Sequence, residues 1–181
     1  MTDRVAPHSV GRTPRGAIIE HATVDNAAKT RRDYQELWND RNFNVIDDWI
    51  APDFVGHYTS QPEPVRGVDG FRRFVDETLA AFPDLKATIL DQVVEGDKVV
   101  SRVELRGTHA GPLLGFAPTN QVVSVTYVGI EQYRDGLCVE EWVYSDDLCL
   151  SRQIKAIPEP GSRAERIGWA LQRLSTRRMR K

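Results

Sequence analysis

The chain has 181 residues, 40% hydrophobic and 28% charged, with a formal net charge of -2. That length suits one domain with tails better than two domains, and the composition excludes collagen-like, disulfide-rich and wholly disordered chains. The small net charge leaves no global basic field to recruit nucleic acid. It is a cancellation, because residues 163–181 carry seven basic side chains against one acid, so an acidic body bears a basic tail.

Residues 1–22 hold Pro7, Gly11, Pro14 and Gly16 among scattered charges and read as a disordered leader without the apolar core of a signal peptide. From Asp25, a favoured helix cap, the spacing predicts a helix through Trp38 with Tyr34 and Trp38 on one face. A short helix over Val45–Ile50 is stopped by Pro52. Phe54–Tyr58 reads as a strand and Pro62–Pro64 as a loop. The clearest helix is Asp69–Phe82, where Phe71, Phe74, Val75, Thr78, Leu79 and Phe82 form a continuous stripe before Pro83.

Beyond Leu85 the period changes to two. Strands are predicted over Lys86–Val94, Lys98–Thr108, Gln121–Arg134 and Leu137–Ser145, joined by hairpin-sized turns at Gly96 and Gly136 and a long loop over 110–120. Helices first and an antiparallel sheet second define an α+β arrangement. A curved sheet closed by the helices encloses a pocket.

Alternation then assigns faces. Val99, Ser101, Val103, Leu105, Gly107 and His109 share the inner side of their strand. On the last strand Cys138, Glu140, Trp142, Tyr144 and Asp146 share one side, and aromatics with a single acid suit a pocket wall. A carboxylate in an apolar cavity is pushed toward neutrality, the property of a general acid/base. Asp146 is equally suited to cap the turn that follows it, and Asp147 competes for either task. His57 and His109 fit substrate-orienting roles or buried core positions; with Asp146 they also match a two-histidine, one-carboxylate metal set, but without any local ligand spacing. Gln132 is a polar residue whose neighbours Val128 and Ile130 allow either side. Cys138 and Cys149 have no metal or redox spacing and read as small buried hydrophobes. No apolar run approaches the roughly 20 residues of a membrane span. A soluble cytoplasmic protein with reduced thiols is expected.

Several short motifs resemble the SnoaL-like polyketide cyclases, often labelled ester cyclases, of the NTF2-like superfamily. They are Tyr34-x3-Trp38, Ala51-Pro52-Asp53-Phe54-Val55-x-His57, Phe82-Pro83-Asp84-Leu85, Glu95-Gly96-Asp97-Lys98, Gly107-Thr108-His109-x-Gly111, Pro118-Thr119 and Glu141-Trp142-x3-Asp146-x-Leu148. The resemblance runs from about Asp25 to Pro158, within a domain spanning 23–158. It implies a cone-shaped α+β barrel, homo-oligomers (dimer or tetramer) packed through the outer sheet face, and ring closure by intramolecular aldol condensation without metal or cofactor.

The family's Trp-x3-Asp pattern places the acid/base on Asp146. His109 and His57 would hydrogen-bond the developing oxyanion. A small hydrophobic ketone or ester, such as a polyketide-derived one, would lie among Trp142, Tyr144, Trp38, Tyr34, Phe54, Phe74, Leu114, Phe116 and Gln132, under a loop over 111–120 acting as a lid. An NTF2-like isomerase, dehydratase or epoxide hydrolase, or a non-catalytic binding protein, is the alternative. Cys149-Leu150-Ser151 and Lys155 depart from the family's usual Gly-Leu-Leu and Gly. Residues 159–181 read as a basic amphipathic helix begun by a Ser162/Glu165 capping box, which docks on its own or a neighbouring acidic body or on an anionic surface.

Overall fold

The computed structural model describes residues 26–178; the leader over 1–22 and the Asp25 cap lie outside them. Helix α1 covers residues 26–39 and widens into a π-helical turn over Gln35–Asn39. Helix α2 (Val45–Trp49) leads directly into β1 (Ile50–Tyr58), followed by the two-residue β2 (Val65–Arg66) and α3 (Gly67–Ala81). Strands β3 (Lys86–Glu95), β4 (Lys98–Thr108), β5 (Val122–Arg134) and β6 (Leu137–Ser145) come next, then α4 (Asp147–Gln153) and α5 (Arg163–Arg178).

All six strands form one sheet in the order β2-β1-β6-β5-β4-β3. Strands β3 to β6 are an antiparallel meander, as alternation predicts. Strand β1, however, runs parallel to β6, a pairing that local sequence does not encode. The sheet remains open at β2 and β3 rather than closing into a barrel.

The core lies between the concave sheet face and the helices. Trp49 packs edge-on against Phe71 and tilts against Tyr34, while Phe54 meets Phe71 edge-to-face at 5.5 Å. Such aromatic pairs add about 0.5–1.5 kcal/mol beyond the area they bury. Helix α3 supplies Phe71 and Val75 of the predicted stripe to this core, together with Ala81. Gly111 lets the following loop close on α3. Its amide donates to the Ala81 carbonyl, and a Cβ there would lie 2.0 Å from the Ala80 carbonyl oxygen.

At the other end, Ser162 caps α5 by accepting from the Glu165 amide at 3.1 Å. Glu165 accepts in return from the Gly161 amide at 2.6 Å. The predicted capping box therefore forms, leaving Ile167, Trp169 and Leu171 exposed on α5. No helix among the described residues is long and apolar enough to cross a membrane.

Candidate functional site

The cone encloses a cavity of about 410 Å³, within the range of small-molecule sites. Its walls are Tyr34 and Trp38 of α1, Phe74 and Thr78 of α3, Leu105 of β4, Val123 and Val125 of β5, and Val143 of β6. Leu114 and Phe116 of the loop over 111–120 stand at its mouth, largely exposed. The loop is held by reciprocal backbone hydrogen bonds between Leu113 and Phe116. Among the described residues no Lys, Arg or His lines the cavity, and its carboxyl groups are those of Glu77, Glu141, Asp146 and Asp147. A neutral, apolar ligand fits such walls, whereas an anion would meet only carboxylates.

Asp146 stands where β6 gives way to α4. Its backbone leaves the extended region (φ -82°, ψ 73°), and its side chain accepts from the Cys149 amide at 2.9 Å. It caps α4, as one of the two sequence readings expects, and it also lines the cavity. Asp147 also reaches the cavity and accepts from the Ser145 hydroxyl at 2.5 Å.

Strand parity misplaces the rest of β6. Gln132 pairs with Glu140, but Tyr133 pairs with Cys138, so Val139 is an extra residue and the strand bulges. A bulge resets alternation. Cys138 and Glu141, three residues apart, therefore both point inward and are buried. Trp142 and Tyr144 point outward, away from the cavity. Trp142 stacks on His57 with rings 5.6 Å apart and 10° from parallel. His57 in turn bonds Glu140 through Nε2 at 3.0 Å. That cluster is part of the convex face, and Tyr144 is 59% exposed there. Gln132 also lies on the convex side of β5, opposite the buried Glu131 and Tyr133.

His109 is wholly buried, but among core groups rather than in the cavity wall. Its Nδ1 lies 3.1 Å from the Thr119 hydroxyl, its ring leans on Phe82, and Nε2 has no hydrogen-bond partner. Phe54 is a core residue against Phe71. Of the residues expected at the site, Asp146, Tyr34, Trp38, Phe74, Leu114 and Phe116 meet in one cavity. His57, His109, Trp142, Tyr144, Phe54 and Gln132 do not join them, and His57 and Asp146 lie on opposite faces of the sheet.

Sequence reasoning missed two buried acids, Glu131 and Glu141, which face each other directly across β5 and β6. Glu141 forms part of the cavity wall and accepts from the Tyr58 hydroxyl at 2.7 Å. The Tyr34 hydroxyl stands on the same side and receives a hydrogen bond from Tyr127 at 3.0 Å. Burial pushes Glu141 up to about 7, against the opposing pull of the Tyr58 hydrogen bond and the Tyr34 hydroxyl. Glu131 lies behind it, where Oε2 accepts from Tyr133 at 2.6 Å and from Thr30 at 3.0 Å. Burial, and then the charge of Glu141, push Glu131 up to about 8. Burial likewise raises the phenols of Tyr34, Tyr58, Tyr127 and Tyr133 well above their ordinary range, so all four are donors at neutral pH. A signal for Glu131 was present: it continues the inward parity of Val123, Val125 and Tyr127.

Comparison with known proteins supports the same architecture. A provisionally assigned SnoaL-like polyketide cyclase from Jannaschia sp. CCS1 superposes with a TM-score of 0.70 at 28% identity, covering 83% of this chain and all of that one. IdmH from Streptomyces antibioticus, provisionally assigned as a polyketide cyclase, gives 0.64 at 30% identity over 72% of this chain and 98% of its own. AclR from Streptomyces galilaeus, provisionally assigned as a hydroxylase, gives 0.65 at 25% identity, covering 75% of this chain and 99% of that one. None of the curated proteins matches the chain. The sequence profile of the SnoaL-like polyketide cyclases matches residues 28–154, the whole of the cavity-bearing fold, and the chain belongs to that family.

Proposed function

We propose that the protein is a cofactor-independent acid/base enzyme that cyclises a neutral, hydrophobic ketone or ester by intramolecular aldol addition, with Asp146 as the base. The observation that carries this reading is the position of Asp146: its carboxyl group stands at the rim of an apolar cavity that no Lys, Arg or His among the described residues lines. It is held by a backbone amide rather than neutralised by a salt bridge.

Asp146 takes the proton from a carbon between two carbonyls, and the C–H electron pair becomes an enolate. The enolate carbon attacks a second carbonyl carbon of the same molecule, forming the new C–C bond as that C=O π bond opens to an alkoxide. Protonation of the alkoxide completes the ring. Such a C–H bond is already acidic, so one placed base and a confined substrate supply most of the acceleration.

Benzoylacetone carries an activated methylene and two carbonyls, and tests the first step. The full chain is expected to accelerate deuterium exchange at that methylene, and Asp146→Asn to lose on the order of 10²-fold or more of the rate. Undiminished exchange in Asp146→Asn would refute the assignment. Binding without exchange in the unaltered protein would leave a ligand-binding protein instead.

The convex sheet face supports self-association. Val93, Val128 and Tyr144 are exposed there beside Trp142, and a homo-oligomer packed through this face is the reading they favour. Size-exclusion chromatography with light scattering tests it; a strictly monomeric protein is the contrary result.

A further inference from the structure

The acids Glu131 and Glu141 are the largest piece of buried chemistry that the reaction above does not use. Their placement is specific. They are directly opposed residues on neighbouring strands, and directly opposed side chains lie about 4.5–5.5 Å apart at Cβ. Both are buried, and among the described residues no basic side chain bonds either carboxyl. The groups that face Glu141 are Tyr58 from β1, Tyr34 from α1, and Tyr127 and Glu131 from β5. Those that face Glu131 are Thr30 and Asp33 from α1, with Tyr133 beside it and Cys138 nearby on β6. Asp33 is already satisfied by Lys29 and Arg32, so the cations of this region are spent on a third acid. Two carboxylates so placed, without a counter-ion, cannot both be ionised.

We propose that Glu141 is the proton donor of the cavity: a neutral carboxylic acid, backed by Glu131 and presented to the substrate between Tyr58 and Tyr34, that protonates the oxygen made negative by the reaction. The proposal rests on the reading of Asp146 as base and divides the chemistry in two. Asp146 gains the proton removed from carbon. Glu141 bonds the electrophilic carbonyl oxygen and gives its proton to the alkoxide as the C=O π bond opens. One proton enters the protein at the rim and one leaves at the interior, so the substrate and product are isomers. Solvent resets both groups when the mouth empties. Tyr58 positions Glu141 and stabilises the carboxylate left behind by a hydrogen bond to charge, and the Tyr34 hydroxyl favours the same form.

Benzoylacetone exchange over a pH series tests this with the full chain, because both of its carbonyls flank the exchanging methylene and a proton donor bonded to either one acidifies that C–H. In the unaltered protein the rate is expected to fall as pH rises through about 7, where Glu141 gives up its proton. Glu141→Gln should lose roughly tenfold or more of the rate and show no fall in that window. Tyr58→Phe removes a hydrogen bond that favours the ionised form, so its fall should move to higher pH. A Glu141→Gln variant with unaltered rate and the same fall overturns the proposal, as does a Tyr58→Phe profile that stays in place.

Carboxyl-carbon NMR of glutamate-labelled protein separates this result from the fate of Asp146. The Glu141 resonance, identified by its loss in Glu141→Gln, should titrate near neutrality in both the unaltered chain and Asp146→Asn, and should move on addition of benzoylacetone. Titration in the ordinary carboxylate range, or no response to the ketone, overturns the proposal even if Asp146 proves to be the base. Absence of exchange in the unaltered chain, with the Glu141 response intact, refutes the cyclase reading and retains a proton-bearing Glu141 in contact with ligand.

Discussion

Replacing Glu131 by Gln removes one protonation equilibrium while keeping nearly the same side-chain shape. The folded chain holds a proton on Glu131 up to about pH 8, against a value of 4.5 for an unburied glutamate. At about 1.4 kcal/mol for each tenfold in proton affinity, that difference amounts to roughly 5 kcal/mol. Glu141, raised to about 7, adds roughly 3 kcal/mol by the same conversion. The sign follows from proton counting. Between pH 4.5 and about 8 the folded chain binds more protons than the unfolded chain, so stability falls as pH rises. Asp53 and Asp84 are held low, by Arg134 and by Thr108 respectively. Their stabilisation is lost only in acid, outside this window.

Urea unfolding followed by tryptophan fluorescence, at fixed protein concentration and ionic strength, reads the effect directly. The unaltered protein should lose several kcal/mol between pH 5.5 and 8.5, a large part of the total stability of about 5–15 kcal/mol usual for a domain. Glu131→Gln should lose about half as much. At pH 5.5 the variant should be the less stable of the two, because its amide nitrogen occupies the place of an Oε1 that has no partner. Such an unsatisfied group costs about 1–3 kcal/mol. At pH 8.5 it should be the more stable, so the two stability curves cross. Parallel curves, or an unaltered protein whose stability is flat or rises over this interval, would refute the account of the pair.

Asparagine caps a helix as well as aspartate, so Asp146→Asn should unfold within about 0.5 kcal/mol of the unaltered chain, whereas Asp146→Ala should cost about 1 kcal/mol; thermal unfolding checks both. Trp142→Ala should change benzoylacetone affinity less than twofold by calorimetry, because Trp142 is absent from the cavity wall. Phe74→Ala, which opens that wall, should weaken binding by tenfold or more. Gly111→Ala would drive a Cβ to 2.0 Å from the Ala80 carbonyl and should cost on the order of 2–4 kcal/mol in urea unfolding. Truncation after Gly161 removes α5 and should reduce the oligomeric mass if that basic helix docks on a neighbouring acidic body; an unchanged mass by light scattering assigns α5 another role.

Repeating patterns made most of the fold legible. The stripe from Phe71 to Phe82 belongs to a helix of residues 67–81, and β4 and β6 occupy the very residues that alternation selects. Parity also put Val99, Ser101 and Val103 inside, and all three are buried. It failed on β6 because one extra residue, Val139, reverses the faces beyond it. A bulge is a property of two paired strands, and nothing local to Leu137–Ser145 announces it. The same limit hid the parallel pairing of β1 with β6, which brings His57 beside Trp142 on the convex face. Asp146 reaches the cavity for a different reason from the one parity supplies: it lies just past the strand, where the cap of α4 turns it inward.

Asp146 and Glu141 differ in the way that a divided proton transfer requires. Asp146 is exposed at the rim and its side chain is fixed by the Cys149 amide. Glu141 is enclosed by the sheet, opposite another acid and out of reach of any cation that bonds it. Exposure and an amide donor suit a base; enclosure beside a like charge suits an acid. Exchanging the environments would disable both, since an ionised Glu141 could donate nothing and a buried, neutral Asp146 could accept nothing. The bulge at Val139 is what creates this asymmetry. With strict alternation Cys138 inward would carry Glu140 and Trp142 inward as well, and Glu141 would face solvent. One inserted residue therefore moves a carboxyl group from the outer surface of the sheet to the wall of the cavity, and with it the property that allows a ketone to be protonated there.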